Sequence, residues 1–218
     1  MRQLMEKHRK TFILTCILIL LPILAGILLW DRLPDSMPTH FDSDGTPNGW
    51  SSKPFAVLGL PLFILSAHVI CIAFTSHDPK YQNTGQKIFK IILWICPVVS
   101  ILCCATIYAS ALGYDLDISR YMMIILSLMF IILGNYMPKC RQNYTIGIKL
   151  PWTLNDEENW NHTHRMAGYL WVICGILMLI NAFVYMEWLM VALFLIMILV
   201  PVLYSFIYYL KNGQRKEV

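Results

Sequence analysis

The chain has 218 residues, 57% of them apolar and 14% charged, with a mean hydropathy of +0.57; a soluble domain carries roughly 45–50% apolar and about 25% charged residues. Its longest polar stretches, residues 31–54 and 135–165, fall short of the roughly 40 residues a small domain needs for an aqueous core. A soluble enzyme, a tethered catalytic domain and a nucleic-acid-binding domain are excluded, and the formal charge of +4 reads as topology and attraction to an anionic lipid bilayer, with no direct nucleic-acid partner.

In chain order the apolar runs fall at about 11–30, 55–75, 88–112, 120–136, 166–186 and 188–210. They predict an all-α integral membrane protein of six transmembrane helices, a single polytopic domain over 1–218. The first run follows the basic segment Met1 to Lys10 as a signal peptide would. It is too long for one, however, and no small-residue cleavage site follows Trp30, so it is expected to stay as an anchor. With the N-terminus inside, 14 of the 17 Lys and Arg residues, from Arg2 to Arg215 and Lys216, flank spans on the cytoplasmic side; only Arg32, Lys53 and Arg120 lie opposite. Positive flanks resist translocation, so both termini are expected in the cytoplasm. Six of the seven cysteines lie in spans and Cys140 in an inner loop, which reads as packing and not as disulfides or zinc ligation.

The span interiors carry no charge; His68 and Asn181 are their strongly polar residues. A His bonded to a neighbouring helix is the expectation for His68, with a proton relay as the alternative. Ala105, Ala109 and Gly113 form a small-residue ridge expected to pack another helix of the same chain.

The loop after the first span, 31–54, carries Asp44-Gly45 and Pro47-Asn48-Gly49, two turn signals that predict a compact hairpin-like cap. It is net negative, with Asp31, Asp35, Asp42 and Asp44 against Arg32 and Lys53, and suits a cationic or amphipathic extracellular ligand. His40, Asp42, Asp44, Trp50 and Lys53 are the ligand-facing candidates. Asp42-Ser43-Asp44-Gly45 resembles a fragment of a calcium loop, but no closing Glu follows, so no metal is assigned.

The inner loop, 135–165, alternates from Tyr144 to Leu154, with Ile146, Ile148, Leu150 and Trp152 apolar and Thr145, Gly147, Lys149, Pro151 and Thr153 between them. A period of two predicts an extended, interfacial segment with one apolar face. It lies in the interface, tucks against the bundle or pairs with another protein. Asn155 is the expected helix cap, with Glu158 at the capping-box position, opening a helix that runs into the fifth span. His162 and His164 point roughly 200° apart on it, which argues against a shared metal.

Gly134-Asn135-Tyr136-Met137-Pro138-Lys139, Asn143 through Leu154, and Trp160 with Thr163-His164-Arg165 and Gly168 resemble the signature of the SdpI family of bacterial immunity proteins. Leu33-Pro34-Asp35, Pro38-Thr39-His40-Phe41 and Ser52-Lys53-Pro54 resemble the family's other shared segment. The resemblance implies a bacterial inner-membrane protein that protects its cell from a secreted, membrane-active peptide toxin. It further implies a receptor that holds a small winged-helix repressor at the membrane. Asn135, Asn143, Gly147, Lys149, Pro151, Trp152, Thr153, Trp160 and Arg165 are the cytoplasmic signature or docking candidates. No catalysis and no cofactor are expected. The alternatives are a small exporter of an amphiphilic substrate, or a metal-dependent membrane enzyme built on His40 with Asp42 and Asp44 or on His162 with His164.

Overall fold

The structure is a computed structural model that describes residues 2–216. The side chains of Arg2, Arg215 and Lys216, which enter the charge asymmetry above, lie outside the described side chains. Its helices are α1 (Arg2–Leu28), α2 (Leu60–His77), α3 (Gln86–Ala111), α4 (Ile118–Tyr136), α5 (Pro151–Asn155), α6 (Glu157–Val184) and α7 (Glu187–Lys216). All but α5 are long and apolar enough to cross a membrane, which makes six such helices among the described residues, α2 being extended by a wide turn at Phe55–Gly59. The loop after α1 adds an antiparallel pair, β1 (Ser36–Phe41) and β2 (Pro47–Ser52), to the otherwise helical chain.

Two compact units divide these elements. The first runs to His77 and takes in Phe89–Ser119, hence α1, the hairpin, α2 and most of α3. Met37 of β1 is fully buried with Leu33, Ala56, Val57, Cys104, Ile107 and Tyr108, so the hairpin is seated on the helices it connects. Thr15 Oγ1 donates to Phe12 O at 2.8 Å and lies 3.1 Å from His68 Nε2, which therefore donates to it. This is the helix-to-helix bond expected of His68, although its buried Nδ1 has no protein partner among the described residues. The small-residue ridge of α3 is not the packing face: Ala105 and Gly113 are exposed, and Cys104, Ile107 and Tyr108 make the contact.

The second unit joins Asp78–Ile88 to the chain from Arg120 onward. Its helix crossing is lined by glycines: Gly134 and Gly168, which stand in the signature, and Gly175, which carries no local signal. A Cβ on Gly134 would stand 2.9 Å from Gly168 O, and one on Gly175 would stand 2.8 Å from Ile131 Cγ1 and 3.0 Å from Ser127 O. Lipid offers helices no hydrophobic drive to associate, so such close backbone approach is what holds α4 to α6. Cys174, Met178, Leu193 and Met197 fill the α6–α7 contact, with Phe130 edge-on to Trp171 and Phe194. Asn181 closes the two-residue turn into α7: its Nδ2 donates to Met186 O at 3.1 Å and its Oδ1 accepts the Met186 N–H at 3.0 Å. That accounts for a strongly polar residue near the end of an apolar span.

Candidate functional site

Two polar loops carry the sequence-predicted residues. In the first, β1 and β2 pair Ser36 with Ser52, Met37 with Ser51 and Pro38 with Trp50 before the register shifts around His40. The tip is the Asp44-Gly45 turn. Gly45 takes φ +83°, its N–H donates to Asp42 O, and Asp44 Oδ1 accepts both the N–H and the hydroxyl of Thr46. The Thr46 hydroxyl, and then its amide, hold the Asp44 carboxyl below the usual carboxylate range. The second turn signal does not turn the chain. Pro47-Asn48-Gly49 enters β2, where the register irregularity absorbs the extra residue and Gly49 faces His40, whose Cβ a methyl group there would meet at 2.9 Å.

His40, Asp42, Asp44 and Trp50 are exposed. Lys53 is drawn inward instead, 3.1 Å from Asp35, donating to Trp30 O at 3.3 Å and lying 5.4 Å from the Trp30 ring centre. His40 Nδ1 donates to Asn48 Oδ1 and Asp44 is bonded to Thr46, so hydrogen bonding accounts for this His and Asp without a metal.

The second loop departs from the expected extended strand. Tyr144, assigned to the apolar face, is exposed with Lys80 Nζ 5.3 Å from its ring centre, and Thr153, assigned to the polar face, is fully buried. The alternation stops at Leu150, because Pro151 opens α5 with φ fixed and no amide to satisfy. Thr153 Oγ1 accepts the Leu150 N–H at 2.9 Å and lies 2.9 Å from Ile148 O. The cap of α6 is Asp156, not Asn155; it accepts the amides of Glu158 and Asn159. Glu158 therefore does not hold the capping-box position.

Asn143 is buried and fully used: Oδ1 accepts from the amides of Thr145 at 2.9 Å and Ile146 at 2.6 Å, and Nδ2 donates to Arg141 O at 2.8 Å. Trp160, also buried, donates from Nε1 to Cys140 O at 2.7 Å and stacks on His164 at 4.0 Å between ring centres. His164 Nδ1 faces Trp160 O at 2.8 Å and Nε2 accepts the Ile148 N–H at 2.9 Å; one nitrogen donates and the other accepts, so the ring is neutral. Gly147, at φ +114°, passes directly over this pair: a Cβ there would collide with His164 Nε2 and stand 2.9 Å from Trp160 Cζ2. Trp152 Nε1 donates to Ser205 Oγ at 2.9 Å and Asn159 Nδ2 to Ser205 O at 3.0 Å, tying α5 and α6 to α7. Burial pushes the Cys140 thiol up to about 11, which leaves it unreactive at neutral pH.

Local sequence pattern missed a further set of partners. Asp78 Oδ2 accepts the Tyr144 N–H at 2.8 Å and the Thr145 hydroxyl. Gln142 Nε2 donates to Thr153 O and Leu154 O at 2.9 Å, its Oε1 accepts from Lys80, and its carbonyl accepts from Asn83 Nδ2 at 2.6 Å. Asn135, Lys149, Pro151 and Arg165 are exposed on this framework, and His162 is turned outward beside Tyr208, away from His164. The signature residues thus separate into a buried set that folds the loop and an exposed set that the loop displays.

Comparison with known proteins divides along the same lines. Residues 17–65, from within α1 through the hairpin into α2, match a domain of unknown function, DUF1648; residues 139–205, the second loop through most of α7, match the SdpI/YfhL protein family. Each match falls within one of the two units. No solved structure matches the chain. Immunity protein SdpI of Bacillus subtilis is 28% identical over 214 residues, which is 94% of this chain and all of that protein. The chain is a multi-pass membrane protein that bears the SdpI/YfhL match from its second polar loop through most of α7 and is similar to an SdpI immunity protein along nearly its whole length.

Proposed function

We propose that this protein confers immunity to a secreted, membrane-active peptide toxin, and does so by binding, without catalysis. Similarity to Immunity protein SdpI over 94% of the chain carries the reading. The exposed hairpin residues His40, Asp42, Asp44 and Trp50 face the toxin outside the cell, and Lys53 holds the loop's base. On the cytoplasmic side Asn135, Lys149, Pro151 and Arg165, all exposed, are the residues offered to a small winged-helix repressor, with Lys149 and Arg165 supplying positive charge, while Asn143, Gly147, Thr153 and Trp160 shape the loop.

Expression in a sensitive bacterium is expected to preserve the membrane potential against a depolarising peptide and leave tolerance to unrelated antibiotics unchanged. Equal collapse of the potential with and without the protein refutes immunity; broad resistance points to an exporter. Lys149→Glu with Arg165→Glu should keep protein amount and tolerance but lose a tagged repressor from the membrane fraction. Retained recruitment in that double variant removes the docking role.

A further inference from the structure

We infer that the outer edge of β2 is a strand-addition site for an extended, basic peptide segment. The phase of the hairpin follows from one bond. The Lys53 N–H donates to Asp35 O at 2.9 Å, so Asp35 and Lys53 form a hydrogen-bonded pair. The register runs without a shift from Ser36–Ser52 to Pro38–Trp50. In an antiparallel ladder bonded and non-bonded pairs alternate, which makes Met37–Ser51 the next bonded pair and leaves Ser36, Pro38, Trp50 and Ser52 with their peptide groups turned away from the partner strand. Pro38 is an independent check, since a proline fits within a strand only where the ladder asks for no N–H.

The two edges are therefore unequal. Along β1 the outward row has no donor at Pro38. Along β2 the N–H and C=O of Trp50 and the N–H of Ser52 point outward, with donors two residues apart as an incoming strand requires, while the Ser52 C=O is turned into the helical turn that starts at Lys53. Trp50 is exposed and stands on this row, offering an aromatic face to an alkyl or cationic side chain. Charge selects the occupant: Asp31, Asp35, Asp42 and Asp44 outnumber Arg32 and Lys53 in the loop, and Asp42 and Asp44 are exposed at the tip, so a lysine- or arginine-bearing strand is favoured over an acidic one. The edge gives the toxin-binding reading a mode and rests on it for the natural ligand.

The test uses the full chain in phosphatidylcholine nanodiscs, whose zwitterionic lipid holds no net charge, and a short synthetic peptide alternating lysine and valine. Binding is expected, and about tenfold weaker binding for three controls: the same peptide N-methylated at alternate amides, its glutamate counterpart, and the protein variant Ser52→Pro. Ser52→Pro removes an outward N–H and leaves the ladder bonds in place. The N-methylated peptide tests the same contact on the unaltered protein, should that variant fold poorly. Equal binding of the methylated peptide would mean charge attraction alone and overturn the proposal. A dimer that forms through this edge and excludes the peptide overturns it in favour of a second copy. Loss of the edge with toxin tolerance intact rejects strand addition alone; loss of tolerance in the unaltered protein rejects the immunity reading itself.

Discussion

Gly147 concentrates the demands of the second loop on one residue. Its positive φ disfavours any side chain, and a Cβ would strike the ring nitrogen that accepts the Ile148 amide. Gly147→Ala is expected to cost about 1–3 kcal/mol for the backbone alone, with further loss as His164 moves off Ile148. Lys149→Ala, two residues on and exposed, should stay within about 0.5 kcal/mol. Thermal unfolding in detergent compares the two, and equal midpoints would show that the loop does not depend on this crossing. Gly147 and Trp160 stood out in the sequence, but their pairing through His164 did not. The contact joins residues a loop apart, and neither carries a local signal of its partner. Asp78 and Ser205 were missed for the same reason: each is an ordinary polar residue at a span end until its partner, more than 40 positions away, is in place.

At the scale of elements, the six long helices and the Asp44-Gly45 turn were legible, because hydropathy over about 20 residues and a positive-φ glycine are local properties. The alternation of Tyr144 to Leu154 misled, since a period of two identifies a strand only where neighbours pair with it. Here Pro151 starts a helical turn, and Thr153 bonds back to Leu150. The choice of small residues misled as well. A four-residue ridge on α3 looks like a packing face, yet the glycines that contact backbone are Gly134 on α4 and Gly168 and Gly175 on α6. Gly175→Leu should therefore destabilise the protein by about 1–3 kcal/mol or more through overpacking, and Ala105→Leu, on the exposed ridge, should be tolerated. The order of unfolding temperatures of these two variants decides the matter; a reversed order would place the crossing on α3.

For the whole molecule, the asymmetry of 14 Lys and Arg residues against three predicts the hairpin outside and the signature loop inside. An export-dependent reporter fused after Asp44 should be active, and one fused after Lys149 inactive. Activity after Lys149 would place the proposed repressor surface on the wrong side of the membrane and end the signalling reading, although the hydrogen-bonded loop would stand.

The two units are interleaved along the chain: residues 78–88 lie between α2 and the body of α3, yet they complete the second unit. A chain severed after Ser119 therefore yields unequal halves. The front fragment would keep every element of the first unit and carry Asp78, Lys80 and Asn83 with it. The rear fragment would hold the Tyr144 amide, the Thr145 hydroxyl and the Gln142 carbonyl without the groups that satisfy them. Its signature loop would be competent only when the front fragment is made in the same cell, so two inactive genes could restore one function, and the sequence of the short 78–88 segment would decide whether they do.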